Sequence, residues 1–255
     1  MSGSNHMSED YDMEKIIGTD DRSVNHDVRN DMWRPICAIY HNFGDPRQNF
    51  IGTGVLVGPR TVFTAAHNVF KLATGSRITS GYVRVGVRGG SAAASARIIN
   101  FKLPKRYLTS DANGMDQYAH DYAVLHLESS APAQWAKSHW TLDAMPVLGD
   151  KALKARTLTL AGFPAKSHTG KIDLHVGQGK ALNWTANPDV FSYKIDTSAG
   201  QSGAPVFAHD PSTGKVNVAG VHVAGFAGSH NIANRLTNPV RQKVLSWIRD
   251  FEARP

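Results

Sequence analysis

An all-β fold closed by one terminal helix is the class this sequence predicts, and three observations predict it. Nine short runs rich in Val, Ile and aromatic residues punctuate the chain, each bounded by Gly, Pro, Asn or Asp. Only one stretch, near the C-terminus, carries a persuasive helical period. The chain has 255 residues, 41% of them hydrophobic. That is enough for one large all-β domain or two small ones to bury a core without staples.

The runs are ICAIYH (36–41), GVLVG (54–58), YVRVGVR (82–88), ARIINF (96–101), YAVLHL (122–127), TLTLAGF (157–163), VFSYKI (190–195), APVFA (204–208) and VNVAGVHVAG (216–225). Their spacing argues for sandwiches or barrels rather than βαβ units. A short helix is expected after Ala65, around AHNVF. ESSAPAQWAKSHW (128–140) is rich in Pro, Ala and Ser and reads as a connection, placing the boundary between two β halves there. In NPVRQKVLSWIRDFEA, Asn238 suits an N-cap and Pro239 the first helical position. Val240, Val244, Ile248 and Phe251 then recur near helical spacing, giving one apolar stripe to pack and a charged face for solvent.

The opening MSGSNHM reads as an expression-tag remnant and is set aside. No signal peptide follows it, and no run of eighteen apolar residues suggests a membrane span. The single cysteine, Cys37, excludes an internal disulfide and reads as a small buried hydrophobe in a strand. A core of this size needs no disulfide, so secretion stays open. The formal net charge of +7 is uneven: residues 1–30 hold seven acids and three Lys/Arg, while the rest of the chain is basic. The basic residues are scattered and lack interleaved aromatics, which argues against nucleic-acid binding.

Three stretches offer the parts of a nucleophilic site. A serine hydroxyl needs a neighbouring base, a group that orients the base, and donors for the oxyanion that forms. TVFTAAHNVF offers His67, HDYAVLHLE offers Asp121, and AGQSGAPVF offers Ser202. Their order, His then Asp then Ser, is a known triad order. The order Ser202, Asp210, His222 would suit an α/β-hydrolase, but the alternating helices and parallel strands of that fold are not found.

With those residues in hand, the chain resembles the chymotrypsin-like serine proteases, and within them the bacterial glutamyl endopeptidases. The resemblance runs from about IIGTDDR (16–22) to NRLT (234–237). Its landmarks are GTGVLVGPRTVFTAAH (52–67), DYAVLHL (121–127), YKIDTSAGQSGAPVF (193–207) and VAGVHVAG (218–225). It implies a double antiparallel β-barrel with the site between the barrels. The first barrel is expected at about 31–135, the second at about 145–237 and the helix at about 239–252. Residues 1–14 stand apart, and 15–255 form the protease domain. By resemblance Ser202 is the nucleophile, His67 the general base and then acid, and Asp121 the orienting carboxylate. The N–H groups of Gly200 and Ser202 form the oxyanion hole. Gln201 departs from the trypsin branch, where an Asp usually precedes the serine and pairs with a freed N-terminal ammonium; ordering here must arise differently.

Two specificity readings compete. Asp196 lies six residues before Ser202, where trypsin keeps the carboxylate that receives Lys or Arg. In the glutamyl branch the receptor is instead a Thr hydroxyl and a later His, here Thr197 and His222. A hydroxyl and an imidazole can both donate to a carboxylate. Gly225 would offer its backbone to an extended substrate. The acidic stretch SEDYDME (8–14) reads as the end of a propeptide, with self-processing expected at Glu14–Lys15. The expectation is a secreted, monomeric endopeptidase, made as a zymogen, that cleaves proteins or peptides after Glu and less readily after Asp. Cleavage after Lys or Arg is the rival, and a protease fold kept only for binding is a third reading. No cofactor, nucleic acid or membrane partner is expected, nor a metal; His120 and His126 read as a chance pair.

Overall fold

A computed structural model describes residues 16–45, 48–111, 114–142, 146–165, 171–184, 187–210, 215–226 and 229–253. The expected processing point at Glu14–Lys15 lies outside the described residues.

Six strands close the first antiparallel barrel: β2 (Ile36–Asn42), β3 (Phe50–Gly58), β4 (Thr61–Thr64), β7 (Ser80–Val85), β8 (Ala94–Lys102) and β9 (Ala123–Leu127), in the order β2-β3-β4-β9-β8-β7. Two short strands, β5 (Phe70–Lys71) and β6 (Ser76–Arg77), pair beside it. The second sheet runs β11 (Leu174–Trp184), β10 (Thr157–Gly162), β13 (Pro205–His209), β14 (Val216–Phe226), β15 (His230–Arg235) and β12 (Val190–Tyr193). Pairing of β11 with β12 closes it as well. An N-terminal strand, β1 (Ser23–Asn25), adds to the outer edge of β11. The helices are α1 (Met115–His120), α2 (Ala131–Ala136), α3 (Asp150–Ala155) and α4 (Asn238–Glu252).

The strand runs are nearly continuously hydrophobic because many are buried on both faces. On β2, Cys37 and Ile39 point into the first barrel, while Ile36 and Ala38 join the core between the barrels. Successive strand residues face opposite sides, so a strand between two cores needs apolar residues at every position. β13 repeats the scheme, with Val206 and Ala208 inside the second barrel and Phe207 between the barrels. There Phe207 meets the rings of Trp140 and Trp33, with centroids 5.1 and 6.1 Å away. Cys37 is the small buried hydrophobe expected, and burial pushes its thiol pKa up.

Helix α4 leaves the second barrel and packs across the first. Its Val240, Val244, Trp247 and Phe251 are buried, and Ile248 packs partly buried against the same core, so Trp247 adds to the expected stripe. Trp247 meets Tyr122 at 5.8 Å and Phe251 stacks on His126 at 4.8 Å. Glu252 accepts bonds from the Arg60 N–H (2.9 Å) and the Thr61 hydroxyl (3.1 Å), fixing the last turn to the β3–β4 turn. The helix begins one residue earlier than expected. Thr237 is its N-cap, and the Thr237 hydroxyl donates to Asp189 (2.9 Å) instead of capping the helix. The expected helix after Ala65 is a single 3-10 turn, Ala66–Asn68. Part of the expected connection at 128–140 is helical, as α2.

Candidate active site

His67 stands in the 3-10 turn that ends β4, and Asp121 follows α1 immediately before β9. Because β4 and β9 are paired, with Thr64 opposite Ala123, the two residues are carried to the same end of the barrel. There they make two bonds. The His67 backbone N–H donates to Asp121 Oδ1 at 3.0 Å, and His67 Nδ1 lies 2.7 Å from Asp121 Oδ2. The side chain of Asp121 is 1% exposed, whereas that of His67 is 28% exposed. The carboxylate is therefore a buried anchor and the imidazole is partly open to solvent.

Ser202 comes from the other barrel, on the loop leading into β13. Two groups of the first barrel hold its carbonyl: the Thr53 N–H at 2.8 Å and the Asn68 side-chain amide at 2.9 Å. Asn68 adjoins His67 in the same turn, so one tie brings the serine loop and the histidine turn together. Thr53 makes a further tie, donating its hydroxyl to Gly200 O (2.8 Å) while accepting the Phe163 N–H (2.9 Å). In sequence GTGVLVG (52–58) shows only a strand and a landmark, and nothing local marks the ties made by Thr53 and, beyond the motif, by Asn68.

The loop around Ser202 is tightly determined. A turn from Ser198 to Gln201 is closed by the Gln201 N–H donating to Ser198 O (3.0 Å). Gly200 has φ +100°, and a Cβ there would lie 2.4 Å from Ala165 N and 2.6 Å from Phe163 O. The site thus requires glycine on two counts, backbone conformation and space. The Ala165 N–H donates to Ala199 O at 2.6 Å, which orients the peptide between Ala199 and Gly200.

His222, on β14, abuts this loop. The Gly203 N–H donates to His222 O (2.8 Å) and the His222 N–H donates to Ala204 O (2.9 Å). Its ring is fully buried, with Nδ1 lying 2.6 Å from the Tyr193 hydroxyl and 3.2 Å from Ile232 O. Burial, with His67 nearby, pushes the pKa of His222 down to about 3. Thr197 is also fully buried, and its hydroxyl has no hydrogen-bond partner among the described residues. Gly225 lies farther along β14, half-buried and opposite Asn231.

Asp196 is engaged by the N-terminal segment. Its two oxygens accept the backbone N–H groups of Ile17 (2.6 Å) and Asp21 (3.0 Å), and it is buried. The carboxylate thus already accepts two donors from the N-terminal segment. The same segment answers the question that Gln201 posed: Arg22 Nη1 donates to Gln201 Oε1 (2.5 Å).

Comparison with known proteins agrees with this geometry. Residues 52–217 match the model of the trypsin-like peptidase domain. The chain is 28% identical over 250 residues to a glutamyl endopeptidase of Bacillus licheniformis, covering 93% of this chain and 70% of that one. It is 27% identical over 237 residues to a Bacillus subtilis protein named extracellular metalloprotease, covering 91% and 69%. Among solved structures, a Glu endopeptidase in complex with MPD superposes with a TM-score of 0.75 at 22% identity, covering 92% of this chain and 99% of that one. A thermostable serine protease from an extremophilic microorganism superposes at 0.66 and 16% identity, covering 84% and 96%. Two closed antiparallel barrels, a serine loop tied to a histidine turn and a family match over most of the chain lead to one assignment: this protein is a serine peptidase and belongs to the trypsin-like peptidase family.

Proposed function

We propose that the protein is a secreted endopeptidase that hydrolyses peptide bonds through an acyl-enzyme, with Glu preferred before the scissile bond and Asp second. Ser202 attacks the scissile carbonyl as His67 takes its proton. Asp121 holds the imidazole with Nδ1 protonated, which leaves Nε2 to act as the base. The proton then passes to the leaving amine, and a water activated by the same imidazole releases the acid product. The N–H groups of Gly200 and Ser202 receive the oxyanion.

The observation that carries Glu preference is the pair Thr197 and His222. Both are fully buried beside the serine loop, and the Thr197 hydroxyl has no partner among the described residues. A buried hydroxyl in that state costs free energy until an acceptor arrives, and a carboxylate is a strong acceptor. Asp196, the carboxylate a Lys/Arg pocket would use, already accepts the Ile17 and Asp21 N–H groups. Gly225 is assigned to pair with the extended substrate backbone. Secretion is supported by the extracellular relative from Bacillus subtilis.

The test is a set of peptides differing only in Glu, Gln, Lys or Phe before the cleaved bond. Selective turnover of the Glu peptide is expected. Selective turnover of the Lys peptide overturns the pocket assignment, and turnover by the Ser202→Ala variant overturns the nucleophile.

A further inference from the structure

We propose that Arg22 is a positioning residue for the oxyanion loop, acting through Gln201 and Ser198; this rests on the reading of Ser202 as nucleophile. The observation is a two-point clamp. Arg22 Nη1 donates both to Ser198 Oγ (2.7 Å) and to Gln201 Oε1 (2.5 Å), the first and last residues of the turn that contains Gly200. The opposite edge of the guanidinium is locked by Asp20, with Nε to Oδ1 at 2.8 Å and Nη2 to Oδ2 at 2.7 Å. The Arg22 side chain is only 5% exposed. A planar donor fork held by a carboxylate on one side presents the remaining nitrogen in a fixed direction.

Gln201 depends on this contact. It is fully buried, and its Oε1 takes two donors, Arg22 Nη1 and the Ser198 N–H (3.1 Å). Its amide nitrogen has no partner among the described residues, so its oxygen alone holds the side chain. The turn at 198–201 carries a positive φ at its third residue. Such a turn has a competing form in which the central peptide is rotated by half a turn. Here that peptide joins Ala199 to Gly200, and the rotation would turn the Gly200 N–H away from the reacting carbonyl. Fixing both ends of the turn disfavours the rotated form.

The clamp reaches the loop from outside the second barrel. The segment bearing Arg22 is held by Asp196 through Ile17 and Asp21, and β1 continues it along β11, with Ser23 opposite Val176. The segment and the loop are thus joined at both ends of 196–201. The chain orders its serine loop with an internal guanidinium, where the trypsin branch uses a chain-terminal ammonium.

The experiment compares wild type, Arg22→Ala, Arg22→Lys, Gln201→Met and Ser202→Ala on a Glu peptide. It follows kcat and KM separately, the rate of inactivation by a small organophosphate, and near-UV circular dichroism. Arg22→Ala and Gln201→Met, both folded, are expected to lose at least about 10-fold in kcat and in inactivation rate, with KM within about three-fold. Arg22→Lys, or methylguanidine added to Arg22→Ala, is expected to restore part of kcat. Wild-type kcat in folded Arg22→Ala, or a loss confined to KM, overturns the proposal. If Arg22→Ala fails to fold, wild-type kcat in Gln201→Met overturns it. Turnover by Ser202→Ala would remove the nucleophile and this inference with it, whereas an inert Ser202→Ala beside a fully active Arg22→Ala removes the clamp alone.

Discussion

The hydroxyl of Tyr193, at the end of β12, lies 2.6 Å from Nδ1 of His222 on β14, and both residues are buried. The hydroxyl can donate to Nδ1 or accept from it, whereas the Ile232 carbonyl, 3.2 Å away, can only accept. In the tautomer in which Tyr193 donates to Nδ1, the imidazole proton sits on Nε2, from which a neutral His222 would donate to a carboxylate under the proposed function. Removing His222 as His222→Ala is expected to lower the Glu-to-Phe preference by more than about 10-fold, the worth of one charge-assisted bond. Tyr193→Phe is expected to lower it by less, with cleavage after Phe retained. An unchanged preference in His222→Ala would refute the pocket.

Asp121 sets the tautomer of His67 through the 2.7 Å contact and braces its backbone through the 3.0 Å contact. Asp121→Asn keeps the shape but presents an amide that can donate to Nδ1. A loss on the order of 10⁴-fold in kcat is expected, with little change in KM. A loss under about ten-fold, measured on folded protein, would show that the pair does not act on the base.

Gly200→Ala places a methyl against Ala165 N and Phe163 O at a φ of +100°. The loop must shift, and the Gly200 N–H shifts with it. Loss of one oxyanion donor costs on the order of 10²–10³ in kcat, which is the effect expected here. Steady-state kinetics with wild-type-like circular dichroism would establish it; full activity would exclude Gly200 as a donor.

Acid should unfold the protein partly through two buried histidines. Burial pushes the pKa of both His41 and His222 from 6.5 to about 3. The unfolded chain binds a proton at each below about pH 6.5, while the native chain does so only near pH 3. Stability from these groups is therefore complete above about pH 6.5 and falls as pH drops toward 3. Urea midpoints at pH 7.5 and 4.5 test this. His41→Phe, whose ring neighbours are Phe43 and Phe50, should show a smaller drop than wild type. An equal drop would exclude His41.

The strands written in β-branched and aromatic residues were legible, because a strand buried on both faces leaves a long apolar trace. Those missed had other reasons to be strands. Leu174–Trp184 is broken by Gly177 and Gly179, which lower strand propensity, yet both glycines admit close neighbours. A Cβ on Gly179 would lie 1.9 Å from Lys194 O, and one on Gly177 2.6 Å from the Ile195 side chain. His230–Arg235 reads as polar, but the Asn231 and Asn234 amides are buried and donate to Ile195 O and Ala119 O, both at 2.7 Å. Such residues are strand-forming only when a particular carbonyl, remote along the chain, is waiting for them.

The sequence by itself determined the strand-rich class, the terminal helix and the residues from which a site could be assembled, since strand periodicity and loop chemistry are local properties. Tertiary structure alone decided how those residues are used. It bound Asp196 to Ile17 and Asp21, and it brought Arg22 to Gln201 across 179 positions. It also tied Ser202 to Thr53 and Asn68 of the other barrel. A hydrogen bond depends on distance and direction in space, and those follow from how the barrels close and pack rather than from any spacing along the chain.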